Sequence, residues 1–575
     1  MIYYSLLFKR LLYKHPIRKD RQSHRSSLRS LRRQVTVFIE LKNRESTRHT
    51  SSHVEIFVWR SLRIGWVVIT FVWDSLSIRG RHFDFGFLLR ESIEICVQTY
   101  QAYQLSFMAP LIWVNNLSIA VLVLNCWTTP LVDGVFHTNE ALRRVMCLTV
   151  DVFLDFFSLV IIPFAVFFTY RSMVPQTDWY DPMWILSSGD SLLFFHFSGW
   201  WNLLSRLMPA LSIIMCLNAI EPLLRNRGAE REAASQRAME ATHTQIIAPV
   251  SRFSKIFHGL LIVYGATALV VFLLADTNAR QEAIQGCKVI KRPWFVSKYP
   301  CAVLEINCDE FGIAGRTEEL ESILNHLDPH TLSMLVFSHC PSLEVPDVLQ
   351  TFSMMIWLEF YNSTIEEWPT TAAITVQHNV RLSRVFFILT NMSSLPLGLQ
   401  SFAFLSTVYD LEFVGTNLSS NSLPRDLATT WRHTIRTLVF ERGSWEEVPI
   451  ELTQLRAMTL SLAGQGITNV SIELLSVPNV LRLAMNPLTD LPSSATTRVL
   501  PQELHLEATL LAHIPSWIER MVTTRATKLY AEGSPLCANT SVEATLVNCR
   551  TPLATAVDSY YQFPLAAHIA RRRGH

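Results

Sequence analysis

Long apolar runs dominate the first half of the chain, and short apolar repeats dominate the second. The long runs approach the ~20 residues that a helix needs to span a bilayer. The run at 56–73 is interrupted by Arg60 and Arg63, and the longest run carries Arg206 near its middle. The pattern predicts about five transmembrane helices within 54–275, at 56–73, 111–131, 147–168, 191–220 and 257–275.

Composition agrees with a membrane protein. Of the 575 residues, 49% are hydrophobic and only 17% are charged, whereas an ordinary soluble protein carries about 25% charged residues. The mean hydropathy is +0.22. We therefore expect the lipid bilayer to be one partner of this chain.

The charges of the loops predict an orientation, because loops rich in Lys and Arg stay in the cytoplasm. Residues 1–53 and the loop at 221–256 are basic, whereas the loop at 169–190 carries three Asp and one Arg. These loops agree only if five spans place the N-terminus inside and residues 276–575 outside. A count of four spans stays open because 56–73 is a weak candidate.

The basic segment 1–53 is predicted to be a disordered cytoplasmic tail. Its apolar run is too short for a secretory signal peptide, although an Arg- and Ser-rich, acid-poor segment also fits a mitochondrial transit peptide. No basic patch falls on a domain with a folded pattern, so nucleic acid is not expected as a partner.

Apolar–Pro pairs recur through the second half with the period of a leucine-rich repeat, which is 20–29 residues. The strand pattern L-x-x-L-x-L-x-x-N/C-x-L precedes most pairs, for example at 332–343, 408–418 and 478–488. We predict an entry region at 276–331, an α/β leucine-rich-repeat solenoid at 332–536, and a cap and tail at 537–575. The pairs begin at Val345, Trp368, Leu395, Leu423, Val448, Leu491 and Ile514.

The repeat pattern also predicts where side chains point. Strand leucines point inward, and the Asn-type residue turns inward to satisfy backbone groups of the next coil. Asn486 is the one true Asn found at these positions, and Thr, Gln or Ser fill others. In the last repeat, "KLYAEGSPLC", Leu529 is predicted as the strand leucine and Ser534 as the Asn-type residue.

Six cysteines follow residue 275. The stretch "GSPLC" at 533–537 resembles the "GNPLC" that opens the cysteine-capped end of extracellular repeat proteins, and this resemblance implies a bond between Cys537 and Cys549. Ahead of the array, Cys287, Cys301, Cys308 and Cys340 allow three connectivities, which stay open. Zinc is the alternative, but the spacing lacks C-x2-C and H-x3-H, so disulfides in an oxidising compartment are favoured.

Glycosylation sequons fall mostly on the side that the loop charges predict to be outside. One further sequon, at Asn116, lies within a predicted span. We predict a glycoprotein modified at Asn362, Asn391, Asn417, Asn469 and Asn539.

The order of parts resembles a family of oomycete multi-span membrane proteins with a cysteine-capped, extracellular leucine-rich-repeat region. The phrases that carry the resemblance are "ESIEICVQTYQAY" (91–103), "NCWTTPL" (125–131), "SHCPSLEVP" (338–346), "TNLSSNSLPRDL" (416–427) and "GSPLC" (533–537). The resemblance implies a receptor-like or adhesion role in the plasma membrane or a secretory-pathway membrane. Volume-regulated anion channels also place spans ahead of such repeats, but there the repeats are cytosolic.

The function predicted from the sequence is thus non-enzymatic binding through the repeats. The chain has no Walker loop, H-E-x-x-H, G-x-S-x-G or kinase signature, and no cofactor is expected. The partners expected are a protein, peptide or glycan ligand and a signalling partner in the membrane. A channel or transporter subunit with a regulatory repeat domain is the alternative.

Two sets of candidate site residues follow. Repeat arrays bind on the concave strand face, so outward strand residues are candidate ligand contacts. In the membrane, Asp155 and Arg206 are predicted to pair, because an unpaired charge there is costly. The candidate ligand contacts are Trp357, Glu359, Tyr361, Glu412, Arg436, Arg482 and His505.

Overall fold

The computed structural model describes two regions, a helical one and a repeat one. The predicted tail 1–53 and the weak run 56–73 lie outside the described residues. Those residues are 83–136, 140–173, 200–225, 252–281, 284–400, 408–431, 435–455, 457–476, 478–493, 500–524, 527–538, 547–549 and 557–573.

Long helices make up the first region. Four segments are long and apolar enough to cross a membrane by length and composition: Ile112–Val135, Leu142–Arg171, Trp200–Leu217 and Ser254–Arg280. They correspond to four of the five predicted runs. The helices are α1 (Phe83–Met108), α2 (Ile112–Val135), α3 (Glu140–Phe156), a π-helical turn (Phe157–Ile161), α4 (Ile162–Met173), α5 (Trp200–Arg225) and α6 (Arg252–Gln281).

Helix α1 was not expected from the apolar runs. Its buried face carries Glu91, Glu94, Gln98 and Ser106 together with Ile95. These positions recur every three or four residues, so they lie on one helix face. Polar residues on that face lower the average hydropathy of the helix, which is why a search for continuous apolar runs misses it.

Contacts at both ends set the helices of this region side by side. At one end, Asp133 of α2 pairs with Arg143 of α3, and its Oδ2 lies 3.5 Å from Nδ1 of His258 in α6. At the other end, the backbone N–H of Trp294 donates to Oγ of Ser106 over 3.3 Å. The end of α1 therefore lies near the chain that follows α6.

An eleven-stranded sheet forms the second region, in the order β1-β2-β3-β5-β7-β8-β9-β10-β11-β12-β13. All pairs are parallel except β1 with β2. Each strand pairs with the strand of the next repeat, which is the topology of a leucine-rich-repeat solenoid. The strands are β1 Cys287–Ile290, β2 Cys301–Asn307, β3 Met334–Ser338, β4 Leu343–Glu344, β5 Trp357–Tyr361, β6 Ile365–Glu367, β7 Arg384–Ile388, β8 Asp410–Val414, β9 Thr437–Glu441, β10 Thr459–Ser461, β11 Val480–Arg482, β12 Glu503–His505 and β13 Lys528–Tyr530, with β4 and β6 in a small second sheet.

Short helices return the chain between strands, and three more follow the last strand. Their lengths of three to nine residues reflect the short repeat, which leaves room for only one or two turns. The α-helices are α7 Cys308–Phe311, α8 Thr317–Leu324, α9 Leu427–Trp431, α10 Ile450–Gln454, α11 Ile472–Leu475, α12 Ser516–Thr523, α13 Pro535–Ala538 and α14 Leu565–Arg573, and the 3-10 turns are Asp347–Thr351, Thr370–Ala372, Leu397–Leu399, Ser420–Ser422 and Val557–Tyr560.

A ladder of phenylalanines forms the centre of the solenoid core. Phe337, Phe360, Phe387, Phe413 and Phe440 occupy the second inward position of successive strands and are almost fully buried. Neighbouring ring centroids lie between 4.8 and 5.6 Å apart. Regular strand register thus stacks identical side chains, in the way that cross-strand aromatic pairs stabilise a sheet.

Asn486 acts as predicted for an Asn-type position, whereas Ser534 bonds only within its own coil. Oδ1 of Asn486 accepts the backbone N–H groups of Gln465, Gly466 and Ile467, and Nδ2 donates to the carbonyl of Leu462. Oγ of Ser534 donates to a carbonyl of its own loop. Side-chain bonds of this kind satisfy backbone groups that the narrow coils leave buried.

Three disulfides close the two ends of the array. Their sulfur atoms lie at bonding distance in the pairs Cys287–Cys301, Cys308–Cys340 and Cys537–Cys549. The last pair is the one that the resemblance of "GSPLC" implies. Among the three connectivities left open at the first end, the structure has one bond within the β1–β2 hairpin and one from α7 to the loop after β3.

Candidate binding groove and buried polar cluster

A central row of side chains runs along the outward face of the sheet, one from each parallel strand. Strand register aligns them directly. Acidic residues alternate with apolar ones in the first half of the row, so this half is both hydrophobic and acidic. The row is Glu305, Val336, Glu359, Phe386, Glu412, Val439, Ser461, Arg482, His505 and Tyr530.

Residues 557–573, which we name the return segment, cover much of this row. The sequence predicts only a tail after the cap, and the structure corrects this expectation. Phe563 and Leu565 pack on Trp357, Phe386 and Val439 in a second apolar cluster, separate from the solenoid core. The ring of Phe563 meets that of Phe386 edge-on at 5.9 Å, a preferred geometry for aromatic pairs.

Charged groups hold the helical end of the return segment. Nε2 of His568 lies 3.0 Å from Oε1 of Glu359, and the guanidinium of Arg572 bonds to Glu359 as well. Nη1 of Arg572 also donates to Oε1 of Glu305 over 2.7 Å, and the guanidinium lies 4.5 Å from the ring of Tyr361. His568 and Arg572 are one turn apart on α14, so both reach the same face.

Glu359 is wholly buried beneath Arg572 and His568. Burial alone would raise its pKa, but Arg572 and His568 outweigh burial and lower the pKa to about 2. The carboxylate is therefore charged at neutral pH and paired with charge from the return segment. Removing one partner of a buried pair is costly because it leaves the other charge unpaired.

Backbone and aromatic contacts hold the other end of the return segment. The backbone N–H groups of Gln562 and Phe563 donate to the carboxylate of Glu441 over 2.6 and 3.1 Å. The guanidinium of Arg442 stacks 3.7 Å from the ring of Tyr561. The segment thus crosses the sheet from β9–β11 back toward β2, against the order of the repeats.

One acid of the row has no such partner. Glu412 is completely buried beside the carboxyl group of Asp410, and no group of the described return segment donates a hydrogen bond to it. Burial, with the nearby charges of Asp410 and Glu441, raises its pKa well above the usual value. Burial likewise raises the pKa of Asp410 to about 6. The groove therefore contains two close carboxyl groups between the two ends of the return segment, and both hold a proton more readily than a solvated carboxyl does.

The structure buries five of the seven candidate ligand contacts, although all seven were selected as outward strand residues. Burial beneath the return segment or between neighbouring side chains is the reason. Arg482 is half-buried with its Nε 3.1 Å from Oε1 of Gln562, and Arg436 is exposed just before β9. The five buried residues are Trp357, Glu359, Tyr361, Glu412 and His505.

The signal for the return segment is present in the sequence "YYQFPLAAHIARRR" at 560–573. Aromatic residues, a proline and then a basic helix-forming stretch follow the cap, and this pattern belongs to no repeat. Together with outward acidic residues on strands, it points to a segment that folds back.

Four predicted glycosylation sites have exposed asparagines, which is what modification requires. The side chain of Asn362 lies 2.9 Å from Nδ1 of His339, and Oδ1 of Asn417 accepts the N–H of Met392. Asn391 and Asn469 are also exposed. Asn539 lies outside the described residues.

A second group of buried polar residues lies among α1, α2, α3 and α5. Glu94 accepts hydrogen bonds from Asn125 and Ser212 over 3.0 and 3.1 Å, and Arg90 pairs with Asp151. These side chains come from four helices, so the cluster joins them. Its acids outnumber its single arginine; they are Glu91, Glu94, Asp151 and Asp155.

The predicted pair of Asp155 with Arg206 is wrong. Asp155 faces Glu94 and Ser212 rather than Arg206. Nε of Arg206 instead donates to Oδ1 of Asn202 over 3.0 Å, one turn earlier on the same helix. The arginine that pairs with an acid of this cluster is Arg90, which bonds to Asp151 and lies on α1, the helix that the apolar runs do not predict.

Comparison with known proteins adds little to this picture. No family model and no curated protein sequence matches the chain. One similar solved structure is that of a leucine-rich-repeat (LRR) protein of Leptospira interrogans, with 16% sequence identity and a TM-score of 0.29. The match covers 39% of this chain and 53%, about half, of that protein. The repeat assignment therefore depends on the strand order and register described above.

Proposed function

We propose that this chain is a membrane-anchored leucine-rich-repeat protein that acts by binding, in a receptor-like or adhesion role and without catalysis. The observation that carries the proposal is the outward face of the repeat sheet. That face already holds a peptide segment by ion pairs, aromatic contacts and backbone hydrogen bonds. A surface with these groups is suited to recognising a protein or peptide partner.

Membrane anchoring is supported by the outer surfaces of the helices. Large apolar side chains such as Phe153, Phe164, Leu260 and Val263 are at least 60% exposed. An exposed apolar surface of this extent is unfavourable in water. We propose that α1 is the fifth span in place of 56–73. This choice keeps the orientation predicted by the loop charges, with the repeats on the extracellular or lumenal side.

The orientation can be tested by making the full chain with microsomes. We expect glycosidase treatment to increase its mobility, because exposed sequons would lie in the lumen. Replacing Asn362, Asn391, Asn417, Asn469 and Asn539 together by Gln is the matched control and should remove the shift. No shift, with protease cleavage of 276–575 from the cytosolic side, would reject the proposed orientation.

A channel or transporter subunit is the second candidate function, and the buried polar cluster favours it. Ionisable residues within spans commonly mark ion pathways or proton relays, and a π-helical turn, a common feature of functional sites, follows Phe156. The purified chain in liposomes should then pass protons or small ions, and Glu94→Gln should reduce the flux. Equal flux with and without the protein would reject this function.

A further inference from the structure

We propose that the outward face of the repeats is a groove for basic, aromatic peptide segments of a partner protein, and that the return segment is its built-in competitor. This inference deepens the proposed function, because it names the partner class and a way to regulate binding. It commits the groove to a peptide with an aromatic residue followed by a helical turn that carries cations.

The contacts of the return segment define this chemistry. Phe563 fills the apolar part beside Phe386, and His568 and Arg572 follow it by five and nine residues over the acidic part. Backbone N–H groups complete the fit by donating to Glu441. The recognised pattern is an extended aromatic stretch followed by one face of a short helix.

The fit of the resident segment is incomplete, which leaves room for a better ligand. Glu412 is wholly buried beside the carboxyl group of Asp410, and no described residue of the return segment donates a hydrogen bond to it. A buried carboxylate of this kind costs free energy unless a donor or a cation meets it. A partner peptide that adds a Lys or Arg at this position gains a contact that the return segment does not make.

The covalent connection explains why an incomplete fit still fills the groove. The chain from Cys549 to the return segment is short, and a short tether gives an effective concentration on the order of millimolar. A free peptide with the same contacts therefore competes poorly with the attached one. Only a partner with additional contacts, or a weakened return segment, opens the groove.

The test measures binding of a fluorescent peptide of sequence 557–573 to the full chain in nanodiscs. We expect weak binding to the wild type and about tenfold or stronger affinity for chains with Phe563→Ala or Arg572→Ala, because each variant weakens one end of the return segment. Adding Glu359→Gln to either variant should reverse the gain. An Ala570→Ser peptide is the matched control and should bind like the original, since Ala570 is exposed.

The outcomes separate the possible interpretations. Equal affinity for the wild type and both weakened chains would overturn the proposal. Loss of amide protection in Trp357–Tyr361 in both variants would also overturn it, because the return segment would then be a fixed part of the fold. Dimers that form by exchanging return segments would overturn the assignment of a partner protein, because the groove would then bind a second copy of this chain. None of these results depends on membrane orientation. The glycosidase test of the proposed function can therefore fail while this proposal stands, and the reverse also holds.

Discussion

Arg572→Ala should detach the return segment while leaving the repeats folded. In the wild type, Arg572 bonds to Glu359 and Glu305 and stacks over Tyr361, so one side chain links the segment to the two strands β2 and β5. The solenoid core lies on the opposite face of the sheet and does not contain Arg572. The loss should therefore be local.

The magnitude can be worked from Glu359. A fall in its pKa from 4.5 to about 2 corresponds to about 3 kcal/mol of favourable interaction, at about 1.4 kcal/mol per pKa unit. His568 shares this interaction, so we assign about 2 kcal/mol to Arg572. Once the segment is detached, Glu359 is hydrated and no longer needs a partner. The stability lost in Arg572→Ala therefore cannot exceed the free energy that docks the segment.

Amide hydrogen exchange measures this loss directly, because the amides of Gln562 and Phe563 are bonded to Glu441 only when the segment is docked. A loss of about 2 kcal/mol corresponds to roughly thirtyfold faster exchange. Arg425→Ala, at an exposed arginine, is the matched control and should leave exchange unchanged. In a double-mutant cycle with Glu359→Gln, the two effects should not add. Unchanged exchange in Arg572→Ala would refute the reasoning.

Three further predictions concern the repeats. Phe387→Ala should lower the free energy of unfolding by about 3–5 kcal/mol, because it leaves a cavity in the ladder, and denaturant unfolding should find a smaller loss for Phe387→Leu. Glu412→Gln should raise the melting temperature more at pH 7 than at pH 4. Burial raises the pKa of the folded-state carboxyl, so the stability of the wild type falls as the pH rises above the pKa that Glu412 has in the unfolded chain. An equal gain in melting temperature at both pH values would contradict this. Cys537→Ser should cost about 3 kcal/mol or somewhat less, and non-reducing peptide mapping of the wild type should find no free thiol at Cys549.

The repeat period made much of the second region predictable. Because each strand must occupy the same place in successive coils, the apolar–Pro spacing locates the strands, and the Asn-type position locates Asn486. The ends follow from the same reasoning, since an array exposes its last coil unless a cap covers it. Sequence spacing alone could not choose between the possible pairings of Cys287, Cys301, Cys308 and Cys340.

The helical region was predicted less well, because hydropathy averages over all faces of a helix. Helix α1 has polar side chains on the face that packs against its neighbours and apolar ones, such as Leu89 and Ile93, on its exposed face. Its mean hydropathy is therefore low although its surroundings are apolar. The predicted pair of Asp155 with Arg206 is wrong for a related reason: Arg90, the arginine that pairs with Asp151 in the polar cluster, lies on this same helix, which the apolar runs do not predict.

The return segment could not be inferred from the repeat period, but the charges of the row limit the possible arrangements. Glu305, Glu359 and Glu412 alternate with Val336 and Phe386 across adjacent strands. A solvated face needs no apolar residues at these positions, and a buried face cannot keep unpaired acids without cost. A row that is both apolar and acidic therefore requires a cover that is both apolar and basic. Within the chain, 560–573 combines aromatic residues with His568 and a basic end, which matches the cover that the row requires.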